Sequence, residues 1–177
     1  MPQLMQPTML LEISNYIRDS LDKKFLDFPE EIRHVFSDAI LAGNTIASLM
    51  HGEEPNDWDV LLSEDKIVEF SKFLRNTNNP DLGLPYFGYF PHFPNGIQIC
   101  LLLLTKQTRH VDFIHTLAYY DVEKSELVLT EEQLYCIKNK VLRHNVDGHE
   151  LKRDRILKYF ERGWSTDDPS ILEFMRG

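Results

Sequence analysis

Apolar positions along this 177-residue chain recur with two periods, and the period predicts the element. Leu10, Ile13, Ile17 and Leu21 lie three or four residues apart, so an amphipathic helix is expected over about residues 9–21. Pro29-Glu30-Glu31 opens a second short helix with proline at its first position. Residues 39–42 read as a short apolar strand that Gly43 breaks. A short helix follows over 45–51 and ends at Gly52, a C-terminal cap, before a polar loop at 53–56. In the strand predicted over 57–62, side chains alternate between faces. Asp57 and Asp59 therefore share one face, and Trp58 and Val60 the other.

Further along, Ser63 and the acids after it start a helix whose one face carries Ile67, Phe70 and Leu74. Pro, Gly and aromatic residues punctuate 82–96, a long loop or a hairpin with short strands. The apolar run 97–104 reads as a buried strand, 106–110 as a turn and 111–115 as a partner strand. Thr130-Glu131-Glu132 opens a helix with Leu134, Ile137 and Val141 inward. Another helix is expected from Asp147 or Gly148 to about Arg162, with Ile156, Leu157, Phe160 and Trp164 on one side. Arg155, Lys158 and Arg162 fall on its other side, and a last short helix is expected over 167–174. This order predicts an α+β architecture close to α/β: a small mixed sheet with helices packed on it. Residues 1–128 would form the core with its N-terminal helix, and 129–177 a helical C-terminal segment packed on that core.

Composition narrows the picture. The chain is 42% hydrophobic, enough for a sizeable core, yet no run approaches the roughly 18 apolar residues of a membrane span. No secretory leader is expected, since the N-terminus lacks a basic region and is followed by acidic, amphipathic sequence. Cys100 and Cys136 read as buried thiols, which suits a cytoplasmic protein. A net charge of −9 argues against a protein that coats nucleic acid. The charge is uneven, however: residues 138–162 hold eight Lys and Arg against four Asp and Glu, a basic segment beside an acidic body.

Several side chains are candidates for chemistry. The Cα atoms of Asp57 and Asp59 lie about 6.5 Å apart on one strand face. Their carboxylates repel unless a cation stands between them, and a divalent metal suits such hard oxygen ligands. The plainer reading is a solvated Asn-Asp-x-Asp turn. Gly43 and Asn44 precede a helix, where backbone N–H groups attract phosphate, or they form only a turn. Asp112 is the one charge in Val-Asp-Phe-Ile, an acid that Arg109 or His110 is placed to pair. Arg155, Lys158 and Arg162 form either a triphosphate- or RNA-binding face or a solvated one. Tyr119 and Tyr120 are base-stacking or core residues, and the aromatics of 86–93 packing residues or a flap. Zinc-type Cys and His spacings, Walker-type glycine loops and G-x-S-x-G are absent from the sequence.

Gly43-Asn44, a helix-length spacer and Asp57-Trp58-Asp59-Val60 together resemble the signature of the polymerase-β-type nucleotidyltransferase superfamily. That signature is a hydrophobic residue, Gly-Gly or Gly-Ser, a spacer, then Asp-hydrophobic-Asp. The chain looks most like a short stand-alone version of the head domain of poly(A) polymerases and CCA-adding enzymes. The motif covers residues 40–60, and a weaker likeness extends to about Trp164. The resemblance implies a nucleotidyltransferase fold and metal-dependent transfer of a nucleoside monophosphate from a nucleoside triphosphate to an acceptor hydroxyl. It implies two Mg²⁺ ions, or Mn²⁺ in their place, held by Asp57 and Asp59. Asp112 would be a third carboxylate on the acceptor-side ion, and Gly43 and Asn44 would seat the triphosphate. The acceptor is an RNA end, a protein or a small molecule, and the basic helix favours RNA. The sequence departs from the pattern at Asn44, where Gly or Ser is usual. It departs again at Ala47-Ser48, where CCA-adding enzymes and poly(A) polymerases have Arg-Asp, which argues against a tRNA end in particular. A second reading keeps the fold as a nucleotide-binding or protein-interaction module with little or no turnover.

Overall fold

The computed structural model describes residues 7–26, 30–76, 88–90, 98–103 and 111–177. Within these, the side chains of 7–9, Phe25, Asp57, 74–76, 88–90 and 98–103 lie outside what is described. The turn expected over 106–110 and most of the aromatic stretch 82–96 also fall outside. Helices α1 (Pro7–Phe25) and α2 (Glu30–Arg33) lead into strand β1 (Ile40–Ala42), helix α3 (Asn44–Met50), strand β2 (Asp57–Leu62) and helix α4 (Glu64–Asn76). Strands β3 (Gly88–Phe90), β4 (Gln98–Leu103), β5 (Tyr119–Asp121) and β6 (Glu126–Val128) follow. The C-terminal segment holds α5 (Glu131–Asn139), β7 (Val141–Leu142), α6 (Arg153–Glu161), β8 (Ser165–Thr166) and α7 (Pro169–Arg176).

Six strands form one mixed sheet in the order β3-β4-β2-β1-β5-β6. β2 pairs parallel with β4 and antiparallel with β1, so it is bonded on both sides. Parallel neighbours need a crossover, and α4 lies on the one between β2 and β4. The alternation read from sequence holds: Trp58 and Val60 are buried, in one cluster with Ile17 and Leu21 of α1, Ile46 and Leu49 of α3 and Phe70 of α4. Burying each such side chain contributes about 1.5–3 kcal/mol. A second cluster joins Phe113, Leu142, Ile156, Tyr159 and Ile171, and Trp164 packs against both clusters. Among the described residues, no helix is long and apolar enough to cross a membrane.

Three expectations are corrected. Residues 111–115 are not a strand. Phe113 makes a single bridge with His144, and a 3₁₀ turn (Ile114–Leu117) follows. The segment's bonds go to a distant loop: Ile114 N–H donates to Arg143 O, and Asn145 N–H to Asp112 O. On the side away from β2, β1 pairs with β5 of a β5–β6 hairpin, turned at Ser125 with φ 50°. Of the two readings open for Tyr120, core and base-stacking, its burial within that hairpin supports the core. Finally, α6 starts at Arg153, because the preceding loop is committed elsewhere. Asn145 Nδ2 donates to Val111 O, and a side chain at Gly148 would collide with that same carbonyl. The inward stripe of α6 is Ile156 and Tyr159 with Phe160 beside them, while Leu157 is exposed.

Candidate active site

The register of the sheet builds the first part of the site. Asp59 on β2 stands opposite Ala42, the last residue of β1, and so beside the Gly43 turn. Gly43 adopts φ 65° and ψ −145°, close to the region that essentially only glycine occupies. A Cβ there would stand 2.5 Å from Asp59 Oδ2, so glycine is what leaves room for that oxygen. The Asp59 N–H donates to the hydroxyl of buried Thr45 at 2.8 Å, pinning the carboxylate's strand to the first turn of α3. Asp57 lies two residues earlier on β2, opposite Gln98 of β4.

Asp112 is 6% exposed, and its Oδ2 accepts from Arg155 Nε of α6. The Arg155 guanidinium also lies 6.0 Å from the Phe113 ring centroid and 5.7 Å from that of Tyr159. Burial works against its charge, but Tyr159, Asp112 and Asp59 outweigh burial and raise its pKa. Arg155 is therefore a fixed cation within electrostatic reach of both Asp112 and Asp59.

A third group surrounds Asn44. Its Oδ1 lies 2.7 Å from the Tyr159 hydroxyl, which donates to it, and 3.0 Å from His115 Nε2. Tyr159 packs edge-on against Phe113, with centroids 5.1 Å apart, and the His115 ring lies 4.4 Å from that of Trp164. Burial, with repulsion from Arg155, holds the His115 pKa down to about 3. Burial pushes Tyr159 up to about 12, so it remains a phenol donor. Neither residue stands out in the sequence by motif. The available signal is position: His115 is three residues after Asp112, and Tyr159 four after Arg155, one helical turn along the same face.

Beyond Asn44 lies a cavity of about 220 Å³ whose lining includes Asn44, Ser48, Lys140, Tyr159, Arg162 and Trp164. Glu53 and Glu54 also line it, but each faces a lysine, Lys140 at 3.7 Å and Lys24 at 2.6 Å respectively. The basic face of α6 is thus divided. Arg155 serves Asp112, Arg162 lines the cavity, and Lys158 is exposed. The structure places Asp59 against Gly43 and pairs Asp112 with Arg155, whose charge also reaches Asp59, while Asn44 and Arg162 line one cavity. Among the described residues, no three His, Cys, Asp or Glu side chains cluster as a ready-made ion cage, and the Asp57 side chain lies outside that set. Asp59 is a hard oxygen donor of the kind a divalent ion takes, and the missing side chain of Gly43 is what admits its close approach to the turn.

No family model matches the sequence, and no curated protein does. Solved structures do match. The fold is similar to that of a CCA-adding enzyme in complex with ATP, at 18% identity and a TM-score of 0.52, covering 94% of this chain and 44% of that one. A CCA-adding enzyme in complex with CTP matches at 14% identity and a TM-score of 0.52, over 97% of this chain and 41% of that one. A tRNA-processing enzyme in an apo form matches at 15% identity and a TM-score of 0.50, over 73% and 41%. The chain spans less than half the length of each. At these identities the likeness is one of fold, and that fold is the nucleotidyltransferase fold expected from Gly43-Asn44 and Asp57-Trp58-Asp59.

Proposed function

We propose that this chain, built on the nucleotidyltransferase fold, moves a nucleoside monophosphate from a nucleoside triphosphate to an acceptor hydroxyl. The observation that carries the reading is the close approach of Asp59 to the Gly43 turn, where any larger residue would collide with the carboxylate. Asp57 and Asp59 would hold the two Mg²⁺ ions. Asp112 is the proposed third carboxylate, with Oδ2 engaged by Arg155 and Oδ1 as the oxygen offered. Bound there, divalent ions neutralise phosphate charge and make the acceptor hydroxyl more acidic.

The chain's own residues do the rest. Gly43 and Asn44 seat the triphosphate, and Arg155 and Arg162 offset its charge as pyrophosphate leaves. The acceptor oxygen bonds to the α-phosphorus, the bond from that phosphorus to the bridging oxygen of the β-phosphate breaks so that pyrophosphate leaves, and the acceptor proton passes to water. Catalysis is then positioning plus electrostatics, as in other phosphoryl transfers. The basic segment favours an RNA end as acceptor, and the CCA-adding and tRNA-processing neighbours support that choice. The buried free thiol of Cys136 suits the reducing cytoplasm. The Arg155–Asp112 ion pair favours a second reading, a nucleotide-binding module with little turnover, because it engages the proposed third carboxylate.

The test is incubation with each radiolabelled nucleoside triphosphate, Mg²⁺ and total RNA or cell lysate, comparing wild type with the Asp57→Ala, Asp59→Ala double variant. Label passed to an acceptor by wild type alone supports the transferase. Mg²⁺-dependent binding without transfer supports the module, and absence of both overturns the two together.

A further inference from the structure

We infer that Tyr159 and His115 form a clamp that turns the Asn44 carboxamide so that its NH₂ group is presented to the polyphosphate of the substrate. The inference rests on the nucleotidyltransferase reading above and adds two positioning residues to it.

The argument starts from a count of donors. The His115 ring is 0% exposed and its Nδ1 has no hydrogen-bond partner. A neutral imidazole carries one N–H. Were it on Nδ1, a buried N–H would go unpaired, the rarer and costlier defect; an unpaired acceptor is better tolerated. The proton therefore sits on Nε2 and is donated to Asn44 Oδ1 at 3.0 Å. The Tyr159 hydroxyl, on a residue 3% exposed, donates to the same oxygen at 2.7 Å. With its oxygen taken twice, the Asn44 carboxamide has one orientation. Its amide nitrogen, with two N–H donors, is the polar group left for the cavity that Asn44 lines. Two N–H donors beside Arg162 suit anionic phosphate oxygens, while Lys140 in the same lining faces Glu53. Tyr159 lies on the helix between Arg155 and Arg162, so one hydroxyl sets Asn44 relative to both arginines. The clamp residues touch Asn44, not substrate, and are positioning residues.

Equilibrium binding of inorganic tripolyphosphate and of ATP, each with Mg²⁺, tests the clamp in wild type, Tyr159→Phe, Asn44→Ala and the double variant. Phenylalanine keeps the ring packed against Phe113 and Trp164. Each single change is expected to weaken tripolyphosphate binding about 3- to 10-fold, one neutral hydrogen bond's worth. The double variant should bind no worse than the weaker single, because both remove the same contact. In the unliganded protein, Tyr159→Phe should shift the Asn44 side-chain amide resonances, which a role confined to packing would not do. Undiminished tripolyphosphate binding by Tyr159→Phe, or unshifted Asn44 resonances, overturns the clamp and leaves the transferase reading standing. Failure of wild type to bind either probe overturns that reading, while the resonances still decide the geometry.

Discussion

The Arg155 Nε donates to Asp112 Oδ2, and the two partners sit in unequal surroundings: the arginine side chain is 46% exposed, the aspartate side chain 9%. Removing the arginine strands a buried carboxylate, whereas removing the acid leaves a cation that water can reach. Breaking a fully buried pair from one side costs about 3–5 kcal/mol, and the exposure of Arg155 puts Arg155→Met lower, at roughly 2–3 kcal/mol. Asp112→Asn should cost about 1 kcal/mol. Urea denaturation of the two variants measures this, and equal losses would contradict the asymmetry.

Gly43→Ala combines two penalties, a backbone at φ 65° and a Cβ 2.5 Å from Asp59 Oδ2. Strain of this kind costs on the order of 1–3 kcal/mol. Since Asp59 must move to admit the methyl group, activity should fall more steeply than stability does. Parallel thermal melts and transfer assays would show it, and a variant with wild-type turnover would remove Gly43 from the site.

His115 gives stability a defined dependence on pH. Its folded pKa of about 3 lies below its ordinary value of 6.5, so the unfolded chain binds the extra proton between them. The contribution is complete above about pH 6.5 and is lost as pH falls towards about 3, at roughly 1.4 kcal/mol per unit. Unfolding free energies from pH 7 to 4 should show this slope in wild type and a shallower one in His115→Gln.

The divided basic face of α6 predicts unequal effects of neutralising it. Arg162→Gln removes a cation from the cavity beside Asn44, whereas Lys158→Gln alters an exposed position. Nucleotide affinity measured by titration should fall about 10- to 100-fold for Arg162→Gln, the scale of a hydrogen bond to a charged group. The loss for Lys158→Gln should be smaller, and the reverse order would place the substrate on the other side of the helix.

Much of the site could be read in advance because it is local. Gly43, the α3 spacer and Asp59 lie within one strand-helix-strand unit, and period-two alternation alone puts Asp57 and Asp59 on one face. Asp112 stood out as a lone charge among apolar residues, but its partner did not. Arg155 is 43 residues away, and only the packing of α6 brings it there. The same holds for 111–115. Its alternation fits a strand, yet the residues that bond it, Arg143 and Asn145, belong to a later loop. Leu157 and Tyr159 both fit an apolar helical stripe. Which one turns inward depends on where Phe113 and Ile171 lie, and no window of sequence around α6 contains them.

The bond from Tyr159 to Asn44 spans 115 residues. During synthesis at about 5–20 residues per second, that span corresponds to roughly 6–23 seconds between the emergence of one partner and that of the other. Through that interval the glycine turn, β1 and β2 are already on the growing chain, while α6 is not. A chain halted before Tyr159 would carry both strand aspartates and lack the donor that sets Asn44. Completion of the site is thereby tied to the arrival of α6.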